Sequence, residues 1–186
     1  MRILIRTCPQ RSRFLPYLKN HLPSAEIIMD DGGGAMQCFY QALKAAGDDA
    51  VIHMEDDVIL TANFEAKAQE VIDCFKTMPI QFFSMRKADL VIGSRVEKGS
   101  KFLMGQCFYL PQGVSREILK FAPTWKKHGT HPTGLDTLVA DFFAANKMSY
   151  CLHVPSLVDH RDCVSEINSR RSTKRQSLTF VDPIDD

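Results

Sequence analysis

The chain opens on an apolar run over 2–7, rich in β-forming residues, which predicts a buried strand that Pro9 breaks. Phe14, Leu15, Leu18 and Leu22 recur at helical spacing and predict a helix over 12–21, stopped by Pro23-Ser24. A second short strand over 25–29 runs into the loop Asp30-Asp31-Gly32-Gly33-Gly34. Phe39, Tyr40 and Leu43 mark one side of a helix over 36–46, ended by Gly47-Asp48-Asp49. A third strand over 50–54 leads straight into Glu55-Asp56-Asp57, followed by an amphipathic helix over 64–78 and a strand over 80–85. This alternation of strand and helix predicts an α/β chain: a single Rossmann-like domain with a mostly parallel central sheet flanked by helices.

The second half is less regular. Extended pieces are expected over 89–96 and 102–110, separated by the polar turn Glu97-Lys98-Gly99-Ser100. A short helix over 115–121, a polar loop over 125–133 with two histidines, a helix over 135–145 and a strand over 149–154 follow. After Pro155 the pattern fades. The expected organisation is one catalytic domain over 1–164 and a polar, irregular tail over 165–186, in which Arg170-Arg171 and Lys174-Arg175 are basic.

Composition narrows this picture little. With 186 residues the chain suits one domain with a real core, and 45% hydrophobic against 24% charged residues is ordinary for a globular protein. A formal net charge of +1 gives no global field that would mark a nucleic-acid or membrane protein. No stretch approaches the ~20 apolar residues of a membrane span, and the N-terminal run, interrupted by Arg6, is too short for a signal peptide, so a cytoplasmic protein is expected. None of the six cysteines forms a C-x-x-C pair, so no structural zinc site is expected and they read as reduced thiols used as small apolar residues; Cys8 and Cys163 fall in polar loops.

The candidate chemistry sits at the end of the third strand. Ligands of open α/β sheets bind beyond the carboxyl ends of the strands, and VIHMEDDV puts three successive carboxylates there. Consecutive acids repel one another, and a hard cation with oxygen ligands would relieve that repulsion. Magnesium or manganese typically binds through one or two carboxylates plus substrate phosphates and can neutralise a departing pyrophosphate. The same three acids also read as a solvated loop that caps the helix starting near Asn63.

An apolar strand ending in Glu55-Asp56-Asp57-Val58 resembles the D-x-D signature of GT-A-fold glycosyltransferases. The E-D-D form is similar to that of the lipooligosaccharide glycosyltransferases and of some N-acetylglucosaminyltransferases. The resemblance spans Ile3 to about Arg171, lies in order and spacing rather than in any single motif, and covers a chain short for the fold. It implies a metal, Mn2+ or Mg2+, and a nucleotide-sugar donor, with a UDP-sugar favoured. Asp57 would be the metal ligand, and Asp56 would lie near the ribose or metal-bound water. Thr7 and Arg11, in the loop after the first strand, would meet the uridine or its phosphates. In nucleotide-binding sheets generally, an acid after the second strand often meets a base or ribose hydroxyl, which makes Asp31 a candidate. Gly105 would line the donor-sugar and acceptor pocket. Asp136, opening the helix over 135–145, would be the general base of an inverting reaction, with Asp141 a weaker candidate. In Pro155-Ser156-Leu157-Val158-Asp159-His160, His160 would complete the metal shell. Arg171, with its basic neighbours, would close over the diphosphate.

Each position also has a plain structural reading: Arg11 a surface residue of a turn, Gly32 to Gly34 a flexible turn, Gly105 one glycine in a core strand, Asp136 an acid favoured by a helix N-terminus, the basic tail a solvated segment. The acceptor is open. Compact transferases of this kind resemble phage-encoded ones that glycosylate hydroxymethylated bases in DNA, which would place the chain in a host cytoplasm; others act on glycans or proteins. Two further classes stand beside this one: a metal-dependent phosphotransferase or nuclease, which needs Asp30 and Asp31 to converge on the acidic turn, and a non-catalytic binding module of the same fold.

Overall fold

The computed structural model describes residues 1–126, 134–163 and 175–184. In chain order the elements are β1 (Arg2–Thr7), α1 (Leu15–His21), β2 (Glu26–Met29), α2 (Ala35–Ala46), β3 (Val51–Glu55), β4 (Val58–Leu60) and α3 (Phe64–Cys74). These are followed by β5 (Ile80–Gln81), β6 (Arg95–Lys98), β7 (Cys107–Leu110), α4 (Val114–Phe121), α5 (Leu135–Ala145), β8 (Ser149–Leu152) and β9 (Val158–His160). Seven strands form one sheet in the order β2-β1-β3-β7-β5-β8-β6, and β4 pairs with β9 in a separate two-stranded sheet.

The fold is α/β with helices against the sheet, but the sheet is mixed, which corrects the expectation of a mostly parallel one. Strands β1, β2 and β3 pair in parallel, as do β5 and β8. Strand β7 runs antiparallel between β3 and β5, and β6 antiparallel to β8. An antiparallel neighbour needs no crossover helix, which is why the helical periodicity is lost between β5 and β7. The reversal matters for the site: Met54 faces Cys107, and the Glu55 N–H donates to the Gln106 carbonyl at 2.8 Å. The start of β7 thus lies beside the carboxyl end of β3.

Several boundaries also differ from the sequence reading. The stretch expected to open the first helix is a 3-10 turn over Pro9–Phe14, because Pro16 has no N–H to bond back into a preceding α-helical turn and so stands in the first turn of an α-helix that begins at Leu15. The strand expected over 80–85 pairs only at Ile80 and Gln81. The polar stretch Glu97-Lys98 belongs to edge strand β6, where alternating exposure and ion pairs suit polar residues.

The sheet is covered on both faces, as near-continuous apolar runs in β1 and β3 require. Ile3, Ile5, Ile52 and Met54 point to one core with Leu18 of α1 and Phe64, Ala68 and Ile72 of α3. The other face carries a core of Phe39 and Leu43 from α2, Phe108 and Leu110 from β7, and Leu138, Val139 and Phe143 from α5. His53 is fully buried on that side, stacked on Phe108 at 5.2 Å, and burial followed by the nearby Arg6 charge keeps its imidazole neutral. Residues 175–184 return along β4: Ile184 N donates to Leu60 O and Ala62 N to Asp182 O. No helix among the described residues is long and apolar enough to cross a membrane.

Candidate metal site

The acidic turn joins two strands that belong to different sheets. Strand β3 delivers Glu55 to the sheet edge, and β4 leaves at Val58 to pair with β9, so Asp56 and Asp57 fill the corner between them. Both carboxylates are buried, at 2% and 1% exposure. A buried carboxylate is costly unless it is paired and hydrogen-bonded, and the surroundings supply partners. Thr7, the last residue of β1, donates its hydroxyl to Asp56 Oδ2 at 2.6 Å. Arg11, in the 3-10 turn after β1, reaches both acids: its Nη1 lies 3.1 Å from Asp56 Oδ1 and 2.6 Å from Asp57 Oδ2. Burial works against the Arg11 charge, but Asp57, Asp56 and Glu55 outweigh it and hold the guanidinium protonated.

His160 enters through the small sheet. Val58 and His160 are register partners, and the Arg161 N–H donates to the Asp57 carbonyl at 2.8 Å. This places His160 Nε2 3.0 Å from Asp57 Oδ2 with both side chains buried, although off the line of a hydrogen bond. The other ring nitrogen, Nδ1, lies 2.5 Å from the Arg161 carbonyl, an acceptor, and must therefore carry a proton. Nε2 is then left facing the carboxylate, either as a second N–H or as a lone pair that needs a cation between them. Cys163 completes the corner with Sγ 3.8 Å from Asp57 Oδ2, and one ligand atom from each of Asp57, His160 and Cys163 lies within 4.8 Å of the others.

Asp57 and Glu55 are driven in opposite directions. Burial alone would raise the Asp57 carboxyl, but the His160 imidazole beside it and the Arg11, His160 and Arg175 charges outweigh burial and hold it at about 2. Glu55 is held less closely: Arg6 stands at 3.9 Å from its partly exposed side chain, and desolvation plus the Asp57 charge outweigh Arg6 and push the carboxyl up to about 7. Burial also raises the Asp56 carboxyl, against the Thr7 hydrogen bond.

A neighbouring network holds two more of the candidate residues. The Arg6 guanidinium, buried against Phe39 and Phe108, donates through Nη2 to the Gly105 carbonyl at 2.6 Å. Asp136, in the first turn of α5, accepts the Met104 N–H at 2.9 Å. Gly105 lies hard against this turn: a Cβ there would stand 2.1 Å from Leu135 Cδ2 and 3.1 Å from Asp136 Oδ1. The Asp136 charge contributes to the rise of Glu55, so the two acids share one field.

The structure thus brings Thr7, Arg11, Asp56, Asp57 and His160 into one network, and Gly105 and Asp136 into the adjoining one. Asp31 stays in its own loop, where Oδ1 accepts the Gly33 N–H and Oδ2 the Gln41 amide. Asp30 caps that same loop by accepting the Gly32 and Gly34 N–H groups, and Asp141 accepts the Trp125 indole N–H. Arg171 lies outside the described residues. Three contributors escape the sequence reading: Cys163, Arg6, and Glu55 as a group distinct from its neighbours; Arg175, expected among the basic residues over the diphosphate, has Nε and Nη2 buried without a hydrogen-bond partner among the described residues. The one signal for Cys163 is its place three residues after His160.

A divalent cation fits this corner. Asp57 Oδ1 is buried with no partner among the described residues, His160 Nε2 is aimed at the same carboxylate, and oxygen, nitrogen and sulfur donors converge.

No protein-family model matches the chain, and no curated protein does. Among solved structures the chain is similar to A197 from STIV, with 14% sequence identity, a TM-score of 0.47, and coverage of 100% of this chain and 99% of that one.

Proposed function

We propose that the chain is a metal-dependent glycosyltransferase that moves a sugar from a nucleoside-diphosphate sugar, with a UDP-sugar as the favoured donor, to a hydroxyl acceptor. The observation that carries this reading is the meeting of Asp57 and His160 at 3.0 Å beyond the carboxyl end of β3, with no partner for Asp57 Oδ1 among the described residues. That is where a ligand of an α/β sheet binds, and the pair comes from the two segments that carry the GT-A resemblance.

In this reading Asp57 and His160 hold a divalent cation, Mn2+ or Mg2+ by the resemblance, which when bound neutralises charge on the leaving diphosphate. Arg11 and Arg175 present guanidinium nitrogens to the phosphates. Thr7 fixes Asp56 so that its carboxylate faces a ribose hydroxyl or bound water. Gly105 lets the wall of the sugar pocket pack closely against the start of α5. Asp136, anchored through one oxygen by the Met104 N–H, takes the acceptor proton, which makes the reaction a single displacement with inversion. The acceptor class is a hydroxymethylated base in DNA or a glycan.

The contact between Arg11 and both acids favours one second reading, a non-catalytic module in which the guanidinium fills the place of a cation. A phosphotransferase or nuclease has less support, because the hydrogen bonds of Asp30 and Asp31 hold them within their own loop. The test is incubation with UDP-, GDP-, CDP- and ADP-sugars, with and without added Mn2+, and detection of free nucleoside diphosphate. Release of one nucleotide that requires the metal and is lost in Asp57→Asn supports the transferase. No release from any donor, with or without acceptor, favours the binding module.

A further inference from the structure

We infer that Cys163 is a third protein ligand of the cation, and that this corner therefore takes a thiophilic divalent metal such as Zn2+ or Co2+ in preference to Mg2+. This rests on the metal reading above and goes beyond it in donor set and in metal class. One carbonyl anchors two of the donors: Arg161 O accepts both His160 Nδ1–H at 2.5 Å and the Cys163 N–H at 2.9 Å. Metal-bound histidines characteristically give their second N–H to such a carbonyl, which fixes the ring and its tautomer. The same carbonyl closes a tight turn that carries Sγ toward Asp57, while the Arg161 N–H ties that turn to the Asp57 carbonyl.

Two of the three donor separations come near those of a tetrahedral centre, both measured from Asp57 Oδ2, the oxygen that Arg11 also holds, and the third lies within 4.8 Å. Metal–oxygen and metal–nitrogen bonds of about 2.0–2.1 Å and a metal–sulfur bond of about 2.3 Å put oxygen and nitrogen about 3.3 Å apart and oxygen and sulfur about 3.6 Å apart. The observed separations are 3.0 Å for Asp57 Oδ2 to His160 Nε2 and 3.8 Å for Asp57 Oδ2 to Cys163 Sγ. The fourth position would be open to substrate or water, as in catalytic zinc sites. Thiolate and imidazole select zinc-like ions, whereas magnesium wants oxygen donors and near-octahedral geometry. As the metal–sulfur bond forms, the Sγ–H proton leaves to solvent.

Co2+ titration of the full chain, followed by absorption, tests this. The wild type should show intense visible d–d bands of a tetrahedral centre together with a near-ultraviolet thiolate-to-cobalt charge-transfer band, neither displaced by excess Mg2+. Cys163→Ser should lose the charge-transfer band, keep weaker d–d bands and bind Co2+ at least about tenfold less tightly, whereas Cys8→Ser should leave both intact. In parallel, Zn2+ but not Mg2+ should protect Cys163 of the wild type from alkylation, read by peptide mass spectrometry. A charge-transfer band that persists in Cys163→Ser, d–d bands without it in the wild type, or alkylation indifferent to Zn2+ would overturn the role of Cys163 while leaving a metal on Asp57 and His160. Wild type and Asp57→Asn that alike bind no Co2+ would overturn the metal reading itself, and this inference with it.

Discussion

His160 meets Asp57 at 3.0 Å because Val58, the residue after Asp57, is the register partner of His160 across a two-stranded sheet. Two segments remote in sequence are thus locked by backbone hydrogen bonds before any cation binds. Removing Asp57 tests that arrangement at its centre. Asp57→Asn should keep the circular dichroism of the fold and lower the melting temperature, since Arg11 and His160 lose their shared anion. Added divalent cation should then give no stabilisation, where it stabilises the wild type. A variant stabilised by metal as strongly as the wild type would remove Asp57 from the site.

Arg11 occupies the same carboxylates that a cation would, so cation and guanidinium compete. Arg11→Gln removes a cation that touches both buried acids, and breaking such a buried pair costs about 3–5 kcal/mol. In chelator, urea unfolding should show a loss of that order; with a divalent cation most of it should return, and the apparent cation affinity should exceed that of the wild type. Equal losses with and without metal would mean that Arg11 is a fixed structural counter-ion.

The opposed carboxylates predict a pH profile for the metal-free protein. Asp57, depressed from 3.8 to about 2, adds stability above its unfolded value that is lost as pH falls through about 4 to 2. Glu55, raised from 4.5 to about 7, works the other way: its burial is harmless below 4.5, and stability declines as pH rises from 4.5 to 7. Glu55→Gln should flatten that decline and leave the acid limb untouched, as read by melting temperature against pH in chelator. An unchanged decline in the variant would assign it to other groups.

Gly105 leaves no room for a side chain against α5. Gly105→Ala should cost about 1–3 kcal/mol, because Leu135 must give way in a packed wall. It should cut turnover more than stability, by up to about a hundredfold, through displacement of Asp136. Nucleotide affinity should hold, since Thr7, Arg11 and Asp57 lie in the other network. Loss of nucleotide affinity with unaltered kcat would place Gly105 at the donor instead.

The parts of this site legible in the sequence are those that a buried strand end exposes. Strands β1 and β3 read clearly because both faces are covered and leave unbroken apolar runs, so Thr7 and Glu55-Asp56-Asp57 could be placed at their carboxyl ends. Strand direction leaves no such trace, and the antiparallel β7 that sets Gly105 beside Glu55 was invisible. Strand β4 is three residues long, below the length at which alternation shows, so the pairing of Val58 with His160 had no local signature. Cys163 read as one more polar-loop thiol, because a turn closed by a single carbonyl, that of Arg161, gives no pattern in composition.

The proposed function requires Asp57 and His160 to hold a cation that receives a nucleoside diphosphate. The most direct measurement is thermal stability against UDP, GDP, CDP and ADP, each with and without a divalent cation. A ligand at about a hundred times its dissociation constant adds about 2.7 kcal/mol, which for a chain of this size is a rise of about 5–10 °C. A rise of that size with one nucleotide, present only with the cation and absent in Asp57→Asn, is the predicted result. The same melting temperature in every condition would contradict it.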